Sequence, residues 1–204
     1  MNPMTPRLSR LGRALAVLLG AFLLAAATPA RAQDLETPLL LVAQPKLQGE
    51  FYASSVLVVK SIGGGRHIGF IVNRPTALTL GKLFPAHEAS RKIADPVYLG
   101  GPDYTQFVFA LVERKESPGA RSVELAPGLY AAMDRETVDR IIENEGARAR
   151  FVAGLVAWDV GELADELKRG LWFVQEPEAS LVIGKREGLW EELVRRAERR
   201  RDGI

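Results

Sequence analysis

This chain of 204 residues contains two histidines, His67 and His87, the residue type most often used for acid–base catalysis and metal binding. His87-Glu88 begins like the zinc-binding pattern HExxH, but Arg91 stands where the second histidine would bind the metal. His67 lies inside an apolar run. The chain contains no cysteine, which excludes disulfides, thiolate metal sites and a cysteine nucleophile. The sequence therefore indicates no metal and no cofactor.

Serine and carboxylate chemistry has little support in the sequence. No serine lies in a G-x-S-x-G elbow, and Ser54 and Ser55 are typical of the polar end of a strand. The acids are dispersed along helix faces, where a solvated surface is the usual environment. The loop Gly63-Gly64-Gly65-Arg66 has the composition of an anion cradle, but no helix follows it to add its dipole. A plain hairpin loop is the preferred interpretation of this segment.

Asn73 and Arg74 are the better candidates for ligand binding. Asn73-Arg74-Pro75 and Gly100-Gly101-Pro102 each end an apolar strand at a proline, which cannot donate a hydrogen bond to a sheet. Glycines allow close backbone approach, and the two polar side chains offer donors for a carboxylate, a phosphate or a peptide carbonyl. If both strand ends open on the same edge, they line one cleft. The structural alternative is that Asn73 satisfies loop backbone and the glycines only make turns.

Trp158 is a further candidate, because an indole ring can stack on a ligand. Trp158 and Trp172 each adjoin an apolar run, however, so a place in the core is the competing interpretation.

Continuous apolar runs predict the strands that position these residues. Many of the runs are β-branched and do not alternate with polar residues, a pattern typical of strands covered on both faces. The predicted strands are Leu39–Ala43, Ser54–Ser61, His67–Val72, Pro96–Leu99, Phe107–Val112 and Arg150–Ala157. Ser54–Ser61 and His67–Val72 form a hairpin around the glycine triplet.

Four helices carry recognisable sequence signals. Asp134 is a predicted cap for a helix that runs to Glu145, and Asp159 with Glu162 resembles a capping box. A short helix is expected from Leu78 to Phe84, stopped by Pro85. Near the C-terminus one apolar stripe predicts an amphipathic helix: Leu189, Trp190, Leu193, Val194 and Ala197. Strands and helices are intermixed, which favours an α+β or α/β fold with helices packed over the sheet.

Residues 1–32 resemble a cleavable export signal. Arg7, Arg10 and Arg13 precede a 14-residue apolar run, and Ala30-Arg31-Ala32 supplies the small residues that a signal peptidase recognises. We expect cleavage after Ala32, a single mature domain over residues 33–204 without a transmembrane segment, and a periplasmic or secreted location. An uncleaved anchoring helix is the alternative. Cleavage removes four arginines and no acid, so the formal charge changes from +2 to −2. A mature chain without net positive charge disfavours nucleic acid as the partner.

Four segments together resemble the AlgH/YqgE family. They are Leu39–Val59; Gly69-Phe70-Ile71-Val72-Asn73-Arg74-Pro75; Pro96–Pro102; and Gly154–Trp158 followed by Gly161-Glu162-Leu163 and Trp172. The resemblance implies an α+β fold with a mixed, strongly curved, partly barrel-like sheet wrapped by helices. It implies no biochemical activity, although one namesake of the family is described as a regulator of alginate synthesis.

The sequence thus favours a non-catalytic binding or regulatory module of the bacterial cell envelope. Its partner would be an envelope protein or a small anionic ligand. Two alternatives stay open: an envelope hydrolase with an unrecognised site that uses Arg74, Asn73 and a carboxylate or His87, and a transcription-associated regulator as the family name suggests.

Overall fold

The computed structural model describes residues 34–47, 50–184 and 187–203, and the chain from Asp34 onward forms one compact unit. The predicted leader lies outside the described residues. The strands within them are β1 (Leu39–Ala43), β2 (Val56–Gly63), β3 (Arg66–Ile71), β4 (Pro75–Thr79), β5 (Pro96–Leu99), β6 (Asp103–Glu113), β7 (Ser122–Ala126), β8 (Leu129–Ala132), β9 (Arg150–Trp158) and β10 (Trp172–Gln175). The α-helices within them are α1 (Leu80–Leu83), α2 (Glu88–Arg91), α3 (Arg135–Glu145), α4 (Glu162–Lys168), α5 (Ala179–Ile183) and α6 (Leu189–Asp202).

The strands form a strongly curled, half-barrel sheet, which confirms the predicted α+β fold. The order along the sheet is β10-β1-β2-β3-β9-β6-β8-β7, and β4 and β5 branch from β9. Neighbouring strands are antiparallel, except that β5 runs parallel to β9. Strand β9 is therefore the central element, because it pairs with β3, β5 and β6.

Helices cover both faces of the sheet. Along β1, Leu40 and Val42 pack into one apolar cluster with α5 and α6, while Leu39 and Leu41 pack on the opposite face with α4. A third cluster lies between α3 and the strands β6 and β9. Burial on both faces explains why the strand sequences are continuously apolar rather than alternating.

The six predicted strands are present, with altered ends, and the structure adds four that the sequence analysis missed. Strand β2 begins and ends two residues later than predicted, and β6 begins four residues earlier than predicted. The missed strands are β4, β7, β8 and β10. The hairpin of β2 and β3 is confirmed: Gly64 and Gly65 form its loop with φ angles of 62° and 73°, which a type I′ turn requires.

The helix predictions are confirmed in part. Asp134 caps α3, since its carboxylate accepts a hydrogen bond of 3.0 Å from the Thr137 amide. Asp159 does not cap α4, because Gly161 occupies the cap position with a φ of 87°; only the return bond forms, from the Asp159 amide to Glu162. The helix predicted over 78–84 is wrong in its first turn, where β4 continues to Thr79.

Candidate functional site

The two proline-ended segments meet at the junction of β3, β4 and β5. The Ile71 amide donates to the Gly100 carbonyl and the Leu99 amide donates to the Arg74 carbonyl, each at 2.8 Å. The sequence predicts a shared cleft only if both strand ends open on the same edge. These two hydrogen bonds join the segments side by side. This junction fixes where the side chains of Asn73 and Arg74 lie.

Asn73 holds the loop that precedes β2. Its Oδ1 accepts a hydrogen bond of 2.9 Å from the Val56 amide, and its Nδ2 donates to the Ser54 carbonyl at 2.8 Å. Both ends of the side-chain amide are therefore engaged by backbone, as the structural alternative proposed. Asn73 therefore holds the loop in place, and its side-chain amide is not free to bind a ligand.

Arg74 lies against the same loop, and one hydrogen bond to the loop uses only part of its guanidinium group. Its Nη2 donates to the Ala53 carbonyl at 2.6 Å, and its guanidinium lies 5.4 Å from the centre of the Phe51 ring. Partial burial lowers the pKa of Arg74, an effect that nearby Tyr52 opposes. A guanidinium has five N–H groups, so one backbone bond leaves it able to donate further.

A second arginine, Arg150, was missed by the sequence analysis. It opens β9, is only 6% exposed, and donates to the carbonyls of Val72, Ile183 and Gly184, the last at 2.7 Å. Its guanidinium stacks 4.1 Å from the centre of the Tyr98 ring. Burial lowers the pKa of Arg150, while Tyr98 and Asp95 raise it. The only sequence signal was an arginine at the head of an otherwise apolar run.

These two arginines border one cavity of about 820 Å³, which we call the Arg74–Arg150 cavity. Its volume falls within the range of roughly 300–1,000 Å³ that is typical of small-molecule sites. The loop before β2, the β3–β4 junction and β5 form one side, and the start of α6 forms the other. Glu187 and Glu191 lie on the α6 side, so the cavity carries charges of both signs.

Gly100 and Gly101 lie beside this site but do not line it. Both are buried, and a Cβ added to Gly100 would lie 2.2 Å from the Gly154 carbonyl oxygen. A Cβ on Gly101 would lie 2.1 Å from the backbone of Leu155. These glycines permit the close approach of the β5–β6 connection to β9, which is the turn-making role that the sequence analysis weighed against binding.

Trp158 lies in the core, away from the Arg74–Arg150 cavity. It is 4% exposed, and its indole N–H donates at 3.1 Å to the same Glu166 oxygen that accepts from Trp172 at 2.7 Å. It borders a separate cavity of about 340 Å³ together with Tyr52 and Glu166. Burial and the charge of Glu166 raise the pKa of Tyr52 to about 12.

Neither histidine borders the Arg74–Arg150 cavity. His87 caps α2 by accepting from the Ser90 amide, and its other ring nitrogen lies 3.7 Å from Glu143. His67 is buried in β3 and contacts the Leu35 carbonyl at 2.9 Å. Within the described parts of the chain, no three metal-ligating side chains converge. No helix among these residues is both long and apolar enough to span a bilayer.

The sequence profile of a family described as AlgH-like matches residues 40–201. A UPF0301 protein of Myxococcus xanthus is 32% identical over 163 residues, which are 78% of this chain and 88% of the relative. A UPF0301 protein of Methylococcus capsulatus is 32% identical over 162 residues, which are 77% of this chain and 88% of that relative.

Two solved structures share the fold. The solution structure of the AlgH protein from Pseudomonas aeruginosa superposes with a TM-score of 0.65 at 20% identity, covering 88% of this chain and 93% of that one. The crystal structure of the protein DIP2367 from Corynebacterium diphtheriae gives a TM-score of 0.63 at 22% identity, covering 80% of this chain and 88% of that one. Both similarities concern the architecture of the chain.

Proposed function

This chain belongs to the AlgH-like family, and we propose that it is a non-catalytic binding or regulatory module of the bacterial cell envelope. The relatives named above are bacterial proteins, and their names assign no biochemical activity. The proposal therefore rests on the chain's own residues: the cavity between β5 and α6, and the leader-like segment at residues 1–32.

The observation that carries the binding role is that two guanidinium groups border one cavity. Arg150 is fixed by backbone carbonyls and the Tyr98 ring, so little side-chain entropy remains to be lost when a ligand binds. Arg74 is held at one nitrogen and has further donors. Guanidinium forks match carboxylate and phosphate groups, so the ligand chemistry is that of a small oxyanion.

The catalytic alternative has less support. An envelope hydrolase that uses Asn73 and Arg74 needs a base close to both. His87 caps α2 and does not border the cavity, and the carboxylates that do border it, Glu187 and Glu191, are solvent-exposed. The amide of Asn73 is already engaged at both ends. A transcription-associated role also has less support, because the mature chain would carry a formal charge of −2.

The envelope location is supported by the three-part pattern of residues 1–32. The described chain engages the sheet from Leu35 onward, three residues after the proposed cleavage point, since the Leu35 carbonyl contacts His67 and Glu36 accepts from Ser61. A cut after Ala32 would leave these contacts intact. N-terminal sequencing of the native protein from fractionated cells tests this: a periplasmic chain beginning at Gln33 is expected, and a cytoplasmic chain retaining residues 1–32 would contradict it.

Calorimetry of the full chain with N-acetyl-dialanine and with inorganic phosphate tests the binding role. We expect at least one of these anions to bind, and Arg74→Gln to weaken binding about tenfold, because one charge-assisted hydrogen bond is lost. Arg135→Gln is the matched control, since Arg135 is 94% exposed at its side chain and does not border the cavity. If neither anion and no unblocked dipeptide binds, or if both variants behave alike, the proposed function is wrong.

A further inference from the structure

The Arg74–Arg150 cavity contains carboxylates as well as guanidinium groups. Glu187 and Glu191 stand at the start of α6, and both side chains are solvent-exposed. Arg74 and Arg150 belong to the β3–β4 junction and to β9. Opposite charges thus border one concave space from different elements of the fold.

These opposite charges do not neutralise each other. Among the described residues, no ion pair joins Glu187 or Glu191 to either arginine, and Arg74 and Arg150 donate instead to backbone carbonyls. Both kinds of charge border the same cavity of about 820 Å³, which has room for a ligand that contacts them together.

We infer that the ligand of this cavity is zwitterionic: a short peptide whose carboxylate pairs with Arg74 and Arg150 and whose free ammonium pairs with Glu187 and Glu191. This inference deepens the proposed function and rests on it. A peptide satisfies both sides of the cavity with one molecule, whereas a simple anion leaves the two carboxylates facing its own charge. Apolar contact along the peptide is available from Trp190, which borders the cavity and is partly exposed.

Three related probes separate this inference from simple anion binding. Dialanine carries both charges, N-acetyl-dialanine carries only the carboxylate, and dialanine amide carries only the ammonium. We expect dialanine to bind the full chain at least tenfold more tightly than either blocked form, because each block removes one charge-assisted pair.

The length of the peptide measures the gap between the two sides. Each extended residue adds about 3.3–3.6 Å, so affinity across alanine, dialanine and trialanine should peak at one length. A single maximum that is lost on acetylation supports simultaneous engagement of both sides. An affinity that does not depend on length contradicts it.

Glu191→Gln supplies the site-specific readout. We expect this variant to weaken the binding of dialanine about tenfold and to leave the binding of N-acetyl-dialanine unchanged. Arg74→Gln should weaken the binding of both. Glu136→Gln is the matched control, because Glu136 also lies in the first helical turn, that of α3, and does not border the cavity. A thermal melt of each variant reports any loss of folding, since Glu191 also lies where the helix dipole favours an acid.

The outcomes distinguish the two proposals. Equal binding of dialanine and N-acetyl-dialanine overturns the zwitterion inference and leaves the anion site standing. Binding of dialanine that is insensitive to Glu191→Gln and to Glu187→Gln also overturns the inference. If none of the peptides and no inorganic phosphate binds, both the inference and the proposed function are overturned.

Discussion

One buried arginine joins three parts of this chain. Arg150 in β9 donates to the carbonyl at the end of β3 and to two carbonyls where α5 ends. Replacing it by methionine keeps much of the apolar bulk but leaves these carbonyls without their donor, and each buried unsatisfied group costs about 1–3 kcal/mol. We expect Arg150→Met to lower the free energy of unfolding by about 3 kcal/mol, measured by urea denaturation.

Arg150→Lys separates charge from geometry in the same experiment. Lysine keeps the positive charge but lacks the planar fork, so it should recover only part of the lost stability. Arg135→Met, at an exposed position of α3, should change stability by less than about 0.5 kcal/mol. A stable Arg150→Met protein would show that these carbonyls find other partners.

Tyr52 makes stability depend on alkaline pH. Burial and Glu166 raise its pKa from 10.0 to about 12 in the folded chain, so the unfolded chain ionises first. The free energy of unfolding therefore falls as pH rises from 10 toward 12. Below pH 10 the contribution of the protonated Tyr52 to stability is fully present. Tyr52→Phe should flatten this dependence when urea midpoints are compared with wild type across that range. Tyr104→Phe, which removes an exposed phenol, is the control.

The site residues divide by whether the neighbouring sequence marks them. Asn73 and Arg74 could be predicted because the pair stands between an apolar strand and Pro75, a signal contained in a few neighbouring residues. Arg150 could not, since its partners lie 78, 33 and 34 residues away along the chain. The role of Tyr98 depends on the same stack, which only the tertiary fold creates.

At the scale of elements, continuous apolar runs made six strands predictable, whereas exposure or short length concealed the others. Strand β4 begins with Pro75 and is exposed along most of its length, so its sequence lacks an apolar run. Strands β7 and β8 are short and meet at Pro127-Gly128, which divides the apolar signal. The extension of β6 toward Asp103 is exposed and polar, and was therefore invisible to a search for apolar runs.

A substitution at Gly101 tests whether the close approach of the β5–β6 connection to β9 requires a glycine. A Cβ at this position would lie 2.1 Å from the Leu155 backbone, and backbone cannot move aside as a flexible side chain can. We expect Gly101→Ala to lower the free energy of unfolding by about 3 kcal/mol or more, as overpacked sites do. Chemical denaturation monitored by tryptophan fluorescence measures this loss.

Gly64→Ala is the control that isolates backbone strain. Gly64 has a φ of 62° and no heavy atom within 4 Å of an added Cβ, so alanine meets conformational cost but no steric clash. Its expected cost is about 1–2 kcal/mol. Equal losses at the two positions would mean that the approach of β9 is not the reason for glycine at Gly101.

At the scale of the whole molecule, the first described residues act as a brace on the sheet. Leu35 packs against the cluster that contains Trp158, its carbonyl contacts His67, and Glu36 accepts a hydrogen bond of 2.8 Å from Ser61. These contacts hold the start of the domain against the β2–β3 hairpin. A folded unit that begins near Asp34 is compatible with removal of residues 1–32, whereas a cut a few residues later would remove these contacts.

Two shortened chains make this a measurable claim about where the domain begins. A chain starting at Gln33 keeps the brace and should unfold cooperatively. A chain starting at Pro38 loses it, and two lost hydrogen bonds with one lost apolar contact should lower the free energy of unfolding by about 2–3 kcal/mol. Glu36→Ala in the longer chain removes the acceptor for Ser61 without shortening the chain, and should account for about 1 kcal/mol of that loss. Equal stability of the two chains in urea would mean that the folded domain starts after Glu36, and the proposed cleavage point would lose this structural support.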